Sequence, residues 1–383
     1  MNSAYFFRKF KGIAVVLLFF QILHSGAQTR AQLDSLRQEA SVVTYSNPNL
    51  AIEKGMELYD LAKGDPSTQI GALIIIANGY AVLKNHENVL KYAFKADSIA
   101  EKSETYSDRI RVLGFIGGQY QRLNLNDKAL NYLDQAYDIS VQNPLPDSLK
   151  FLQGNILFVK GLIQKDNLGC EYALPFMEQA KSVFKDNISS KAINASIAIS
   201  NNKIADCHFE MEAYGKAKQN YTQAIEYASK VNAIKSIAYA NRGLANILSK
   251  QGRYEDAIKK LKAAFHSIED VNDMGINSEL LKSLSENYDA IGDTENFNKY
   301  TALYLAENEK LLAEEKKSLT EVITDLSTEN SEERTKQKNI YTYLIIFLAL
   351  VFLLLVYLIV KKILQKRRQI DQQRQEIDKS EAN

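Results

Sequence analysis

The feature that most limits how this chain can fold is a short pattern that recurs at a nearly fixed interval. Segments 88–96, 128–136, 172–180, 216–224 and 256–264 each end in an alanine: Ala96, Ala136, Ala180, Ala224 and Ala264. Each carries a short side chain seven places earlier, at Val89, Ala129, Ala173, Ala217 and Ala257. The alanines are spaced by 40, 44, 44 and 40 residues, and the residues between them alternate in helical rather than strand period. A second apolar-periodic stretch precedes each segment and has its own small residue, at Ala77, Gly117, Gly161, Ala205 and Ala245. Two helices with a small residue on each facing side can bring their backbones close, so each unit is expected to be an antiparallel helix hairpin. A chain of 383 residues with 46% apolar residues and only 5 prolines can carry such an array in full.

These residues resemble the tetratricopeptide repeat family, whose signature is small residues at three fixed places of a helix–turn–helix unit. The resemblance covers 70–270 well, with degenerate units around 35–63 and 278–304 as expected of the ends of a stack. It implies an all-α fold: a tetratricopeptide-like α-solenoid over 28–304 whose first helices line a concave groove. The family's groove-facing places fall on Arg111, Gly118, Arg122, Phe158, Leu162, Asn202, Asp206, Phe209, Arg242, Asn246 and Lys250. The departures are a period six to ten residues longer than the usual 34, and Gln164 and His208 where tyrosine is usual. The Lys and Asn clamp with which some members grip a peptide carboxylate is not reproduced. Pro175 lies within a predicted second helix, where its ring is tolerated only in the first turn, so that helix is expected to start late.

The two ends of the chain point to a membrane. Residues 1–27 have a basic start (Arg8, Lys9, Lys11), an apolar stretch over 12–23 and a small-residue exit with Ser25 and Ala27, which reads as a signal peptide cut before Gln28. Residues 340–360 are 21 in number, carry no charge and include 16 of Leu, Ile, Val or Phe. That composition favours bilayer insertion by roughly 5–10 kcal/mol. Lys361, Lys362, Lys366, Arg367 and Arg368 follow at once and place that side in the cytoplasm. The expected topology is a single-pass protein of a bacterial inner membrane, with its array in the periplasm and a short tail, 361–383, inside. Between array and span, 305–339 is expected to form a helical stalk. There Leu305, Leu312, Leu319 and Leu326 recur every seven residues and invite a partner helix, such as the same stretch of a second copy. Glu309 and Lys316 at the intervening core places weaken such a coiled coil, and Ile363, Ile370 and Ile377 continue the spacing.

Chemistry is sparse. Cys207 and His208, with Glu210 and Glu212, form the one local cluster of ligand-type side chains, and His208 occupies a packing place of the repeat, so no metal site is expected. Cys170 and Cys207 lie in neighbouring units, and in an oxidising compartment their pairing is left open. No phosphate-binding glycine loop and no nucleophile elbow occurs, so neither an enzyme nor a cofactor is expected. With 47 basic and 46 acidic residues the chain has no electrostatic reason to seek nucleic acid. The function expected is a membrane-anchored scaffold or adaptor that docks a protein or peptide in its groove. The alternative follows from the overall layout, which looks like the sensor half of bacterial membrane regulators that continue into a LuxR-type helix-turn-helix domain or a histidine kinase. The tail here is too short for either output domain, so signalling would act through a partner at the tail.

Overall fold

The computed structural model describes residues 30–381 apart from 45, 46, 189, 190, 270 and 272, and describes no side chains at 318, 319, 321–323, 325–340 and 369–381. The expected leader, 1–27, and the side chains of Leu319, Leu326, Ile370 and Ile377 thus lie outside the described residues. In chain order the helices are α1 (30–43), α2 (Pro48–Leu61), α3 (Pro66–Val82), α4 (His86–Ala100), α5 (Tyr106–Arg122), α6 (Asn126–Gln142) and α7 (Phe151–Leu168). They continue with α8 (Cys170–Asp186), α9 (Ile193–Glu210), α10 (Tyr214–Ser229), α11 (Ile234–Lys250), α12 (Tyr254–His266), α13 (Met274–Ala290) and α14 (Thr294–Glu381). No strand occurs among the described residues.

Local chemistry sets the helix ends. Asn47, Asp65 and Asn85 cap α2, α3 and α4 by accepting from the backbone N–H of Leu50 (3.2 Å), Thr68 (3.1 Å) and Asn88 (3.0 Å). Pro48 and Pro66 sit at the first helical place, where the missing N–H costs nothing. Most turns inside a hairpin pass through a left-handed residue just before the second helix: Lys84 (φ 56°), Asn124 (57°), Glu212 (59°), Gly252 (74°) and Gly292 (75°). Two of these, Lys84 and Glu212, hold the conformation without being glycine or asparagine.

The helices pair consecutively: α3 with α4, α5 with α6, α7 with α8, α9 with α10 and α11 with α12. The ends complete the stack, α1 burying Ala40 against Leu58 and Ala72, and α13 stacking Tyr288 on Tyr300 of α14 at 5.3 Å. At the hairpin interfaces Ala77, Val89, Ala96, Ala129, Ala136, Ala173, Ala180, Ala205, Ala217, Ala224, Ala245 and Ala257 are fully buried, and Ala264 is 2% exposed. A side chain at Gly117 would meet Leu133, and one at Gly161 would meet Met177. The small residues are thus where the backbones come together.

Pro175 corrects one expectation. The second helix of its unit does not start late: α8 begins at Cys170 and carries Pro175 in its interior. Both Pro175 and Glu171, whose carbonyl loses its helical donor, are exposed, so water can satisfy the freed oxygen.

The chain divides into two compact units after Thr320. The first holds the hairpins. The second is helical, and its stretch Tyr341–Arg368 is long and apolar enough to cross a membrane, with none of it buried. Leu344 (54% exposed), Phe347 (63%) and Leu353 (61%) lie open on different sides of that helix, so it has no polar face to turn outward.

Candidate functional site

First helices meet one another along the stack: α3 with α5, α5 with α7, α7 with α9, α9 with α11 and α11 with α13. The second helices α4, α6, α8, α10 and α12 make no comparable contact among themselves, so the first helices form the tighter, inner row. The residues assigned to the groove all lie on this row, yet they do not form one continuous lining. Arg111 reaches back to Asp108 at 3.3 Å, Arg122 and Lys250 are exposed, Asn246 is half-buried and Gly118 borders open space. Phe158 and Leu162 pack against Ala173, Met177 and Cys207, and Phe209 lies edge-on to Tyr214 at 5.4 Å. The structure brings together Asn202, Asp206 and Arg242.

Asn202 lines a depression of about 360 Å³ between α9, α11 and α13, together with Ile199, Lys203, Lys235, Ser236, Tyr239, Asp273, Gly275, Ile276 and Glu279, and Asp206 and Arg242 contact its lining residue Tyr239 without lining it themselves. Beneath it lies a polar network. The half-buried carboxylate of Asp206 accepts from the hydroxyls of Tyr221 (2.6 Å) and Tyr239 (2.9 Å). Lys203 donates to the Tyr239 oxygen at 2.8 Å. Arg242 lies over the Tyr239 ring, 4.7 Å from its centroid, and pairs with Glu279 at 3.1 Å. Lys235 pairs with Asp273 at 2.9 Å, and that carboxylate also caps α13 through the N–H groups of Gly275 and Ile276. Asn202 donates its side-chain N–H to the Ser236 carbonyl at 3.0 Å, which ties α9 to α11.

The electrostatics follow from burial and pairing. Burial, and then the Asp206 carboxylate, push both tyrosine hydroxyls well above their ordinary range, so both stay protonated donors. Burial opposes the charge on Arg242, but Glu279 and its other neighbours outweigh that and hold its pKa above the usual value. Burial likewise resists the charge on Asp273, and the Lys235 hydrogen bond leads the effects that pull it below the ordinary carboxylate range. Each cation at the depression has an anion beside it, so the site offers little net charge.

Sequence reasoning named Asn202, Asp206 and Arg242 and missed Lys203, Tyr221, Tyr239 and Glu279. Tyr221 reaches Asp206 only because α11 has no side chain at Gly243, where a Cβ would run into the tyrosine ring. His208 is half-buried, and burial, aided by Lys216, lowers its pKa. Cys170 and Cys207 are joined in a disulfide, with Cα atoms 5.1 Å apart, linking the start of α8 to the end of α9. Among the described residues no His, Cys, Asp or Glu cluster is arranged to hold a metal ion.

Comparison with known proteins bears on the fold. A family profile described as tetratricopeptide repeat matches residues 196–270. No curated protein matches the chain in sequence. Among solved structures, a Rap protein complexed with competence and sporulation factor is 16% identical over 70% of this chain and 72% of its own, with a TM-score of 0.55. Aspartyl phosphate phosphatase F from Bacillus subtilis is 17% identical over 77% and 74% of the two chains, with a TM-score of 0.54. The Rap conjugation regulator of plasmid pLS20, in complex with the Phr* peptide, is 17% identical over 70% and 71%, also with a TM-score of 0.54. At these identities the likeness is one of fold.

Proposed function

We propose that this protein, a chain built on tetratricopeptide repeats, is a membrane-anchored, non-catalytic interaction module that holds a protein or peptide against its row of first helices. Repeats of this type are typical of protein–protein interaction modules. The observation that carries the reading is the depression between α9, α11 and α13, an apolar hollow beside ordered polar groups on the inner row, which is the usual form of a recognition pocket. The buried tyrosine hydroxyls and the Arg242–Glu279 pair fix its walls, so little ordering would be required on binding. The pLS20 regulator's structure with the Phr* peptide places a peptide with a protein of this fold, and a peptide partner here is consistent with that likeness.

In this reading the apolar stretch Tyr341–Arg368 anchors the chain in a bacterial inner membrane. The leader exports the array to the periplasm, and the basic flank keeps the tail in the cytoplasm. Exposed Leu305 (58%) and Leu312 (55%) on α14 would meet the same residues of a second copy. A second reading, a sensor that passes groove occupancy to a cytoplasmic partner, rests on that basic tail and needs a ligand that prefers one of two states of the chain.

The test is photo-crosslinking in intact cells, with a crosslinking amino acid placed in the full chain at Arg122 or Asn246 on first helices and at Lys218 or Lys259 on second helices. Discrete adducts from the first pair alone support the reading. Adducts only from Lys218 and Lys259 would place recognition on the other face and overturn it. Deleting residues 366–383 separates the two versions: a scaffold keeps full function, and a sensor loses it.

A further inference from the structure

We infer that α14 straps the two ends of the array together: Glu314 clasps Lys84, in the turn between α3 and α4, and the array passes between a clasped and a released state as that pair forms and breaks. The inference concerns the conformation of the array itself and goes beyond the interaction reading without depending on it.

The two residues meet because the stack turns back on itself. Within it, helices meet neighbours one or two places along the chain, α7 with α8 and α9 for example. Lys84 and Glu314 are 230 residues apart, near opposite ends of that series, yet Lys84 Nζ donates to Glu314 Oε2. Both belong to the first compact unit, which runs on to Thr320. Hairpins stacked with a small rotation from each to the next curve steadily, and here the accumulated turn brings an early hairpin to the last helix.

The reach of α14 comes from its overhang. It is seated on α13 through Tyr300, Thr301 and Asn308, which meet Tyr288 (5.3 Å between ring centroids), Ser285 (2.6 Å) and Ser278 (3.5 Å). That order makes the two helices antiparallel, and α13 begins at Met274, so α14 outruns it near residue 312. The half-buried face of α14 accordingly ends with Leu311, and 312–317 are exposed. Glu314 stands about 9 Å beyond Asn308 along the helix, in that overhanging part.

The clasp is weak. Both side chains are 46% exposed, and a pair open to solvent shifts an equilibrium by about fivefold at most. It cannot lock the array, so a modest preference of a bound partner for either state moves the balance. α14 continues as one helix through the apolar stretch Tyr341–Arg368, and the clasp is therefore a point at which the array grips the helix that carries that stretch. It supplies the two states that the sensor reading requires.

The test is double electron–electron resonance on the full chain in lipid nanodiscs. Both native cysteines are held in the disulfide, so Glu87→Cys and Glu315→Cys, at exposed positions, take the spin labels alone. At low salt the labelled chain should show a short-distance population. Lys84→Glu should shrink it at least about threefold with unchanged thermal unfolding, since the side chain is exposed. Salt at about 0.5 M should shrink it by screening, and Lys84→Glu combined with Glu314→Lys should restore it. A short-distance population that neither salt nor Lys84→Glu moves, one that the charge exchange does not regain, or none in the labelled chain overturns the inference. Each of these results leaves recognition by the inner row untouched, which the crosslinking experiment reads separately.

Discussion

At the scale of single residues, the network around Asp206 depends on fit that leaves little trace in the sequence. Gly243 looks like any other small helical residue, yet a methyl there collides with the Tyr221 ring. Gly243→Ala should therefore cost about 1–3 kcal/mol of stability, read by chemical denaturation of the full chain in nanodiscs, even though alanine is the better helix former. Tyr221→Phe removes one of the two hydroxyls that Asp206 accepts from and should cost about 1–3 kcal/mol. Glu212 lies at the opposite extreme: exposed, with φ 59°. Left-handed backbone is costly for a residue with a Cβ, so Glu212→Gly should raise stability by about 0.5–1 kcal/mol after glycine's own entropy cost. The buried alanines were legible because close backbone contact tolerates only small side chains and repeats at a fixed interval. Tyr221, Tyr239 and Glu279 were not, because their partners lie on other helices and no local spacing links them. Glu279 sits in the degenerate unit at 278–304, where the repeat pattern itself fades.

At the scale of elements, α8 and the helix caps give the next tests. Pro175 costs α8 one hydrogen bond, and the surrounding helix persists because the alanine and methionine face below it stays packed. Pro175→Ala should stabilise the chain by about 2 kcal/mol, the helical gain less the lost rigidity of the unfolded chain. The expectation of a late helix start weighed the proline rule alone and could not see that the freed carbonyl faces water. The disulfide adds a second constraint at the same place, closing a separation of 37 residues, so a reductant should lower stability by about 2–4 kcal/mol. Acid should act at the caps. Asp65, chiefly through its Thr68 hydrogen bond, and Asp273, through Lys235 against opposing burial, are both held below the ordinary value of 3.8. Their contribution is complete above that value and is lost as pH falls through the lower folded values, so unfolding temperature should drop below about pH 4. Asp65→Asn combined with Asp273→Asn should flatten part of that drop.

At the scale of the whole molecule, the regular spacing of Ala96, Ala136, Ala180, Ala224 and Ala264 carried the hairpin architecture, and the long uncharged run carried the proposed anchor. The depression was not legible, because it forms where three first helices converge and draws on residues far apart in sequence. The anchor proposal predicts that the full chain stays in the membrane pellet under alkaline carbonate extraction. Two arginines at Leu350 and Leu354 should release it, since each costs about 2.5–3.5 kcal/mol at a bilayer centre. The central claim is that hairpins stacked through small residues build the inner row on which recognition occurs. Its most direct test is a saturation-substitution scan that reads the cellular abundance of the full chain. Intolerance of any larger side chain should recur at Ala96, Ala136, Ala180, Ala224 and Ala264 and at their counterparts in the first helices, with exposed neighbours such as Gln135 and Lys218 left free. Tolerance at those alanines, or intolerance without their spacing of 40 and 44 residues, would contradict the account.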